Sequence, residues 1–343
     1  MLMAKESPTT VVVVTAVMLS LDIMAVALRF AARSQKRQSL RADDWFCLIA
    51  LLLSFGLATT LFIGVAQKAL AYPTSVAAPP LDRPTALDTS NEKTMILQYI
   101  FLVISVPTLG AIKISVVCFY RRIFVVDKSN LKDVTNAIYL CALAIIGLWT
   151  GGFCFALMFA CKGHFTAWWT PAVDLLTKCV HTVELVFAFV VSDFLSDCII
   201  LILPIPMIWE LHLPLSRKIG VLFVFLLGIM ATVASLMRMI WVFWARIAGF
   251  DASLDQDLLI TTSLFLYMLE ASLGIIAACL PALRGLARTI SVASLMNGIR
   301  DRVSTRSGVS SGKRETSIQI SDSQKETSQP FPSSVTYASH DNV

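Results

Sequence analysis

Seven long apolar runs, separated by short polar connections, set the pattern of the chain. A helix needs about 20 apolar residues to cross a hydrocarbon core of about 30 Å, and each run meets that length. Helices satisfy their own backbone hydrogen bonds in lipid, whereas an isolated strand does not. The pattern therefore predicts an all-α integral membrane protein, a seven-transmembrane helix bundle. The runs cover roughly residues 9–31, 45–67, 95–120, 134–161, 182–210, 219–244 and 258–283.

The composition agrees with a chain that is solvated mainly by lipid. Of 343 residues, 56% are hydrophobic and 15% are charged, and the mean hydropathy is +0.73. A soluble domain has about 25% charged residues, so the composition excludes a soluble enzyme and a disordered chain. We find no P-loop and no HExxH zinc motif. We predict no enzyme activity, no cofactor and no metal site. The seventh run also lacks the lysine that a retinal-binding opsin needs.

The distribution of lysine and arginine predicts the orientation. The connections on one side of the seven spans, with the tail, hold 18 basic residues, and the other side holds 7. Basic residues concentrate on the cytosolic side of membrane proteins. We therefore expect a short extracellular N-terminus at 1–8, a transmembrane domain at 9–286, and a disordered, Ser/Thr-rich cytosolic tail at 287–343. The plasma membrane is the expected location, and an endomembrane is the alternative.

Two of the eight cysteines differ from the others in position. Cys161 and Cys179 lie at the margins of the second outer connection, which faces an oxidising compartment in the predicted orientation. A bond between them would close a loop of about 19 residues and contribute on the order of 3 kcal/mol in the loop-entropy model. We predict this disulfide, with two free thiols as the alternative.

Ionisable residues inside the spans are costly in lipid and normally face the bundle interior. Four carboxylates lie near mid-span, one lysine lies closer to the cytosol, and two further charges form an expected outer polar pair. We expect Asp197 to contact Lys113, and Asp193 and Glu270 to share a proton or a bound cation. One interpretation is structural polar packing, and the other is a core that binds a cation, a proton or a ligand group. The core set is Asp22, Lys113, Asp193, Asp197 and Glu270, and the outer pair is Glu184 and Arg238.

Charged motifs mark the cytosolic ends of several spans. Asp43 or Asp44 is placed to cap the second helix, with Trp45 as a headgroup anchor. A contact surface for a cytosolic partner is the alternative interpretation. Pro204 and Pro206 indicate either a hinge or the end of the fifth helix. The complete cytosolic set is Arg41, Asp43, Asp44, Trp45, Arg121, Arg122, Arg217 and Lys218.

Five segments together resemble a known family. They are RADDW at 41–45, KISVVCFYRRIF at 113–124, LPIPMIWELHLPLSRKIGVLFVFLLG at 203–228, SLMRM at 235–239 and ACLPALRGL at 278–286. In this order, over about residues 10–290, they resemble the fungal rhodopsin-domain seven-transmembrane proteins. That family includes satratoxin-cluster membrane proteins and surface-sensing receptor-like proteins. The resemblance implies seven spans and does not imply light sensing.

A receptor-like protein that senses a ligand and signals through its cytosolic loops is the leading functional hypothesis. One alternative is a transporter or proton-translocating protein that uses the intramembrane carboxylates. Another is a membrane accessory of a secondary-metabolite gene cluster. The expected partners are the lipid bilayer and a heterotrimeric G protein or another cytosolic signalling protein. No nucleic-acid partner is expected.

Epitope tags on residues 1–8 and on the tail are expected on opposite sides of the membrane, because an odd number of spans separates them. An impermeant antibody applied to intact cells should reach only the N-terminal tag. Both tags on one face would contradict the count of seven spans.

Overall fold

The computed structural model describes residues 7–35, 37, 39–72, 85–124, 134–162, 164, 168, 179, 182–205, 215–248 and 257–280. The side chains of 85–91, 124, 215–224, 227 and 248 are not described. Seven helices account for most of these residues, and the described part of the chain contains no strand. They are α1 Pro8–Gln35, α2 Ala42–Ala66, α3 Thr85–Phe124, α4 Val134–Met158, α5 Thr182–Ile202, α6 Leu215–Ala248 and α7 Asp257–Leu280.

Each of the seven helices contains a stretch long and apolar enough to cross a membrane. The predicted all-helical, seven-span architecture is confirmed for these residues. Large apolar side chains point away from the bundle, such as Leu52 at 66% exposed and Leu148 at 77% exposed. A surface of this kind is stable against lipid, so the bilayer is the environment of the bundle. The predicted tail at 287–343 lies outside the described residues.

Helix α5 is shorter than its apolar run. It ends at Ile202, and the amide of Leu203 still donates to the carbonyl of Ile199 at 3.0 Å. Pro204, which has no amide hydrogen to donate, follows in a turn. Ile205, directly after Pro204, is helical again, so the helix is interrupted at Leu203 and Pro204. The choice between a hinge and a helix end stays a prediction, and Pro206 lies outside the described residues.

Helix α3 is the central helix of the bundle. It packs against α2, α4 and α5, and its side chains Phe101, Val106 and Val117 are fully buried. The contact with α4 is very close at Gly110, where an added Cβ would lie 2.3 Å from Oγ1 of Thr150. Small residues allow membrane helices to approach in this way.

The turn after α2 closes one end of the bundle. The amides of Ala69 and Leu70 both donate to the carbonyl of Gly64, at 2.9 and 3.1 Å, and this folds the chain back on the helix. A Cβ at Gly64 would lie 2.3 Å from Leu70, so glycine is required there. The hydroxyl of Thr94 donates to the Ala69 carbonyl at 2.9 Å. The turn is thereby fastened to α3.

A disulfide joins Cys161 to Cys179 in the connection between α4 and α5. The predicted pairing is confirmed. Trp168, within the same connection, is 8% exposed and packs on Tyr99 of α3 with ring centroids 5.2 Å apart. The bond and the aromatic contact hold this connection against the bundle.

Peptide mapping without reduction is expected to recover Cys161 and Cys179 in one linked pair. Replacing both by serine should lower the free energy of unfolding by about 3 kcal/mol, because the unfolded chain regains the entropy of an open loop. The matched control is Cys141→Ser, at an exposed free cysteine. Alkylation of both residues in unreduced protein would contradict the bond.

Candidate functional site

Two groups of charged side chains are buried in the bundle. The first, here called the central cluster, draws on four helices, and the second, the end cluster, lies where α1 ends and α2 begins. The central cluster consists of Lys113 on α3, Asp193 and Asp197 on α5, Arg238 on α6, and Glu270 on α7. The end cluster consists of Arg29 and Arg33 on α1 with Asp43 and Asp44 on α2.

Lys113 joins α3 to α5. Its Nζ lies 2.9 Å from Oδ1 of Asp197, so the predicted contact is present. It also donates to Oδ1 of Asp193 at 2.7 Å and to the hydroxyl of Ser196 at 2.5 Å. The two aspartates share one face of α5 because they are four residues apart. Lys113 therefore has two carboxylate partners, whereas the sequence indicated one.

Arg238 joins α6 to α5 and α7. Its Nη2 donates to Oδ2 of Asp193, and its Nη1 lies 2.5 Å from Oε2 of Glu270. Arg238 and Asp193 are 0% exposed and Glu270 is 3% exposed. The guanidinium is therefore the cation between Asp193 and Glu270, in the place where the sequence suggested a shared proton or bound cation.

The predicted outer pair of Glu184 and Arg238 is wrong. Glu184 accepts from Nη2 of Arg246 at 2.6 Å, and both side chains are partly exposed. Arg246 lies eight residues beyond Arg238, a rise of about 12 Å along α6. That rise brings Arg246 to the depth of Glu184 and leaves Arg238 deep in the bundle. Exposed pairs of this kind contribute about 0.2–1 kcal/mol, so the Glu184 contact is peripheral.

Aromatic rings cover one side of the central cluster. We call Trp149, Phe153, Phe189 and Tyr267 the aromatic layer. The rings of Phe189 and Tyr267 are stacked with centroids 6.1 Å apart, and Trp149 stacks on Phe189 at 5.5 Å. The guanidinium carbon of Arg238 lies 4.1 Å from the Tyr267 centroid, within cation–π range. The layer shields the charges on the side toward the beginning of α5 and α7.

A cavity of about 80 Å³ lies on the opposite side of the cluster. Its walls come from α3, α5, α6 and α7, and the charged groups in them are Lys113, Asp197 and Glu270. Most other lining residues are apolar, and they continue toward Tyr120, near the end of α3. The side chain of Asp197 is 16% exposed, whereas that of Asp193 is fully enclosed. The cluster thus has one sealed side and one side that faces open space.

Asp22 does not belong to the central cluster. Its Oδ2 accepts from the hydroxyls of Ser272 on α7 at 2.8 Å and Ser54 on α2 at 3.4 Å. Among the described side chains it has no ion-pair partner, and it is 0% exposed. The expectation of one polar core containing Asp22 is therefore corrected. Asp22 forms a separate polar contact between α1, α2 and α7.

The end cluster contains four ion pairs. Arg29 contacts Asp43 and Asp44 at 2.8 Å each, and Arg33 contacts them at 2.5 and 2.9 Å. Arg29 also donates to the carbonyl of Ala278 on α7 at 2.5 Å. These contacts fix α1, α2 and α7 to one another at one end of the bundle.

The prediction that Asp43 or Asp44 caps α2 is wrong, because the N-cap residue is Arg41 and Asp44 lies three residues further along. Asp44 still contributes to the start of the helix. Its Oδ2 accepts from the amide of Arg41 at 3.1 Å, which is the residue directly before the helix. Trp45 is 54% exposed, in agreement with an anchor in the headgroup region. The hydroxyl of Ser115 donates to the backbone carbonyl of Asp43 at 2.8 Å, so α3 contacts the same region.

Sequence reasoning missed the partners of Asp43 and Asp44. Arg29 and Arg33 are four residues apart near the end of α1, and a short connection leads from them to the two aspartates. That spacing places both arginines on one face, opposite the start of α2. This spacing is the feature of the sequence from which the ion pairs could have been predicted.

The other predicted cytosolic residues have separate positions. Arg122 lies 3.7 Å from Oδ2 of Asp43, at the margin of the end cluster, and Nε of Arg121 donates to Asn136 on α4 at 2.9 Å. Arg217 and Lys218 belong to the first turn of α6, where the side chains are not described.

The chain is similar to one protein family and to several fungal proteins. The family model described as "Fungal rhodopsin domain" matches residues 28–289. Polyenoic acids biosynthesis gene cluster protein Ba17b of Metarhizium anisopliae is 27% identical over 310 residues, which cover 85% of this chain and 77% of its own length. Receptor GIN3 of Arthrobotrys oligospora is 30% identical over 319 residues, which cover 88% of this chain and 70% of its own length. A SAT4 family membrane protein of Emericella nidulans is 25% identical over 210 residues, which cover 59% of this chain and 50% of its own length.

Lys113→Met is expected to lower the free energy of unfolding by about 3–5 kcal/mol, because it leaves two buried carboxylates without their shared cation. Asp197→Asn alone should cost less, since Lys113 keeps Asp193 as a partner. Adding Asp197→Asn to Lys113→Met should recover part of the loss. Thermal and denaturant unfolding of the purified variants in detergent measures each step.

Glu184→Gln is the control for this cycle, because it removes a charge from an exposed pair at the same helix. We expect it to change stability by less than about 1 kcal/mol. If the losses of Lys113→Met and Asp197→Asn simply add in the double variant, the two side chains are not coupled and the pairing is refuted.

Proposed function

The chain belongs to the fungal rhodopsin domain family, and on that premise we propose that it is a receptor-like membrane protein. In this proposal it senses an extracellular or membrane-borne ligand and signals through its cytosolic connections, without enzyme activity. The observation that carries the proposal is the central cluster, which ties α3, α5, α6 and α7 together through buried ion pairs. The printed name of one relative, receptor GIN3, supports the same class.

A buried network of ion pairs suits a switch between discrete states. Lys113 and Arg238 both contact Asp193, so a shift of any one helix changes the partners available to the others. Breaking one such pair in a low dielectric leaves a costly unpaired charge. Intermediate arrangements are therefore unfavourable, and a bistable element of this kind is what a ligand can bias.

Helices α3 and α7 connect the central cluster to the end cluster. Helix α7 carries Glu270 in the first and the Ala278 carbonyl, which accepts from Arg29, in the second. Helix α3 carries Lys113, and Ser115, two residues further on, donates to the backbone carbonyl of Asp43. The excess of basic residues supports a cytosolic position for the end cluster. A movement in the central cluster would then reach the cytosolic face through two continuous helices.

Transport of a proton or a cation is the second candidate. It is favoured by the excess of one carboxylate in the central cluster and by the cavity beside it. The name of the relative from Metarhizium anisopliae favours a third role, as a membrane accessory of a secondary-metabolite gene cluster. An assay of proton or cation uptake into proteoliposomes tests for transport. The identity of the neighbouring genes tests for a role in a gene cluster.

Purified protein in nanodiscs is expected to bind at least one member of a panel of fungal G-protein α subunits. The double variant Arg217→Ala/Lys218→Ala should weaken that binding about tenfold, because it removes two basic residues from a predicted cytosolic loop and loses charge complementarity with the partner. The measurement is biolayer interferometry on immobilised nanodiscs.

Lys68→Ala is the matched control, because Lys68 is an exposed basic residue at the other end of the bundle. It should leave binding unchanged. If the protein binds none of the subunits and takes up a substrate or protons in proteoliposomes, the receptor proposal is refuted and the protein is a transporter.

A further inference from the structure

We propose that Asp197 and Glu270 bind one monovalent inorganic cation of about the size of sodium, in the cavity beside the central cluster. The site is a property of the bundle itself and holds for a receptor and for a transporter alike. Charge balance, unpartnered oxygen atoms, interatomic distance and available space each support it.

Charge balance is the first argument. The central cluster has three carboxylates, Asp193, Asp197 and Glu270, and two cations, Lys113 and Arg238. With every group ionised, the cluster carries one unbalanced negative charge. A net charge in the interior of a membrane bundle is costly, and one bound positive charge removes that cost. A divalent ion would reverse the imbalance and would be repelled by both neighbouring cations.

The unbalanced charge is located at Glu270 and Asp197. Asp193 is bound by both cations, through Lys113 and Arg238. By contrast, Oε1 of Glu270 has no hydrogen-bond partner among the described residues, although the side chain is only 3% exposed. Buried carboxylate oxygens without partners are rare in proteins. Glu270 also lines the cavity, as does Asp197, the most accessible carboxylate of the cluster.

The distance between these groups fits a bridging ion. One carboxylate oxygen from each of Asp193, Asp197 and Glu270 lies within 4.8 Å of the other two. Hard cations bind oxygen at about 2.3–2.6 Å, so an ion placed between two such oxygens contacts both. Lys113 and Arg238 already occupy the space beside Asp193. The remaining bridging position is between Asp197 and Glu270.

The cavity supplies the rest of the coordination sphere. Its volume of about 80 Å³ compares with about 10–15 Å³ for one water on the same measure, so an ion and several waters fit. The hydroxyl of Thr232 is in the wall and donates to the Gly228 carbonyl at 2.9 Å, which leaves its oxygen able to accept or coordinate. The apolar residues around it offer no competing charge.

Asp22 provides a matched comparison within the same bundle. It is equally buried, and its Oδ1 likewise has no hydrogen-bond partner among the described residues. Its Oδ2, however, accepts from two serine hydroxyls, and Asp22 does not line this cavity. Asp22 is not part of the group of three carboxylates formed by Asp193, Asp197 and Glu270. Asp22→Asn therefore removes a buried carboxylate without altering the proposed site.

Thermal unfolding in nanodiscs tests the proposal, with sodium, potassium or N-methyl-D-glucamine chloride at equal ionic strength and pH 7. At saturating sodium we expect the Tm to rise by about 5 °C over N-methyl-D-glucamine, as binding to the folded state alone requires. Magnesium and calcium at the same ionic strength should give no larger rise. Equilibrium binding of ²²Na⁺ should give one site per chain.

Glu270→Gln and Thr232→Val should both remove the sodium-dependent rise, and Asp22→Asn should keep it. Thr232→Val leaves the charges intact, so it answers the question if Glu270→Gln fails to fold. A Tm that depends on pH but not on sodium would assign the balancing charge to a proton and overturn the cation site. An equal sodium response in wild type, Glu270→Gln and Thr232→Val would also overturn it.

Discussion

The low dielectric of the bilayer interior is the constraint on which the rest of this structure depends. An unpaired charge there is so unfavourable that each buried arginine, lysine or carboxylate restricts which helix can lie beside it. The apolar faces alone are interchangeable, because lipid tails solvate them as well as another helix does. The positions of α3, α5, α6 and α7 relative to one another are specified instead by Lys113, Arg238 and their carboxylate partners.

The two charged clusters differ in charge balance. The end cluster is balanced, with two arginines and two aspartates, and its four ion pairs hold α1, α2 and α7 firmly. The central cluster has more carboxylates than cations and faces a cavity. A balanced cluster is suited to holding helices in one fixed arrangement, and an unbalanced cluster is suited to binding an added charge.

Hydropathy predicted the seven spans because length and apolar content are properties of the sequence alone. The predicted contact between Lys113 and Asp197 is confirmed because both residues lie at similar depth in their spans. Depth, however, does not give the direction in which a side chain leaves its helix. Depth alone therefore pairs Arg238 with Glu184, whereas the side chain points inward to Asp193 and Glu270. The Arg29 and Arg33 partners of Asp43 and Asp44 were missed because they became visible only when the register between α1 and α2 was known.

The close approach of α3 and α4 at Gly110 has an evolutionary consequence. Because Thr150 fills the space that a side chain at position 110 would need, the two positions must change together. An alanine at 110 becomes tolerable only beside a smaller residue at 150, and a glycine at 110 permits the larger one. Across relatives that keep this helix contact, the two positions should vary as an inversely sized pair.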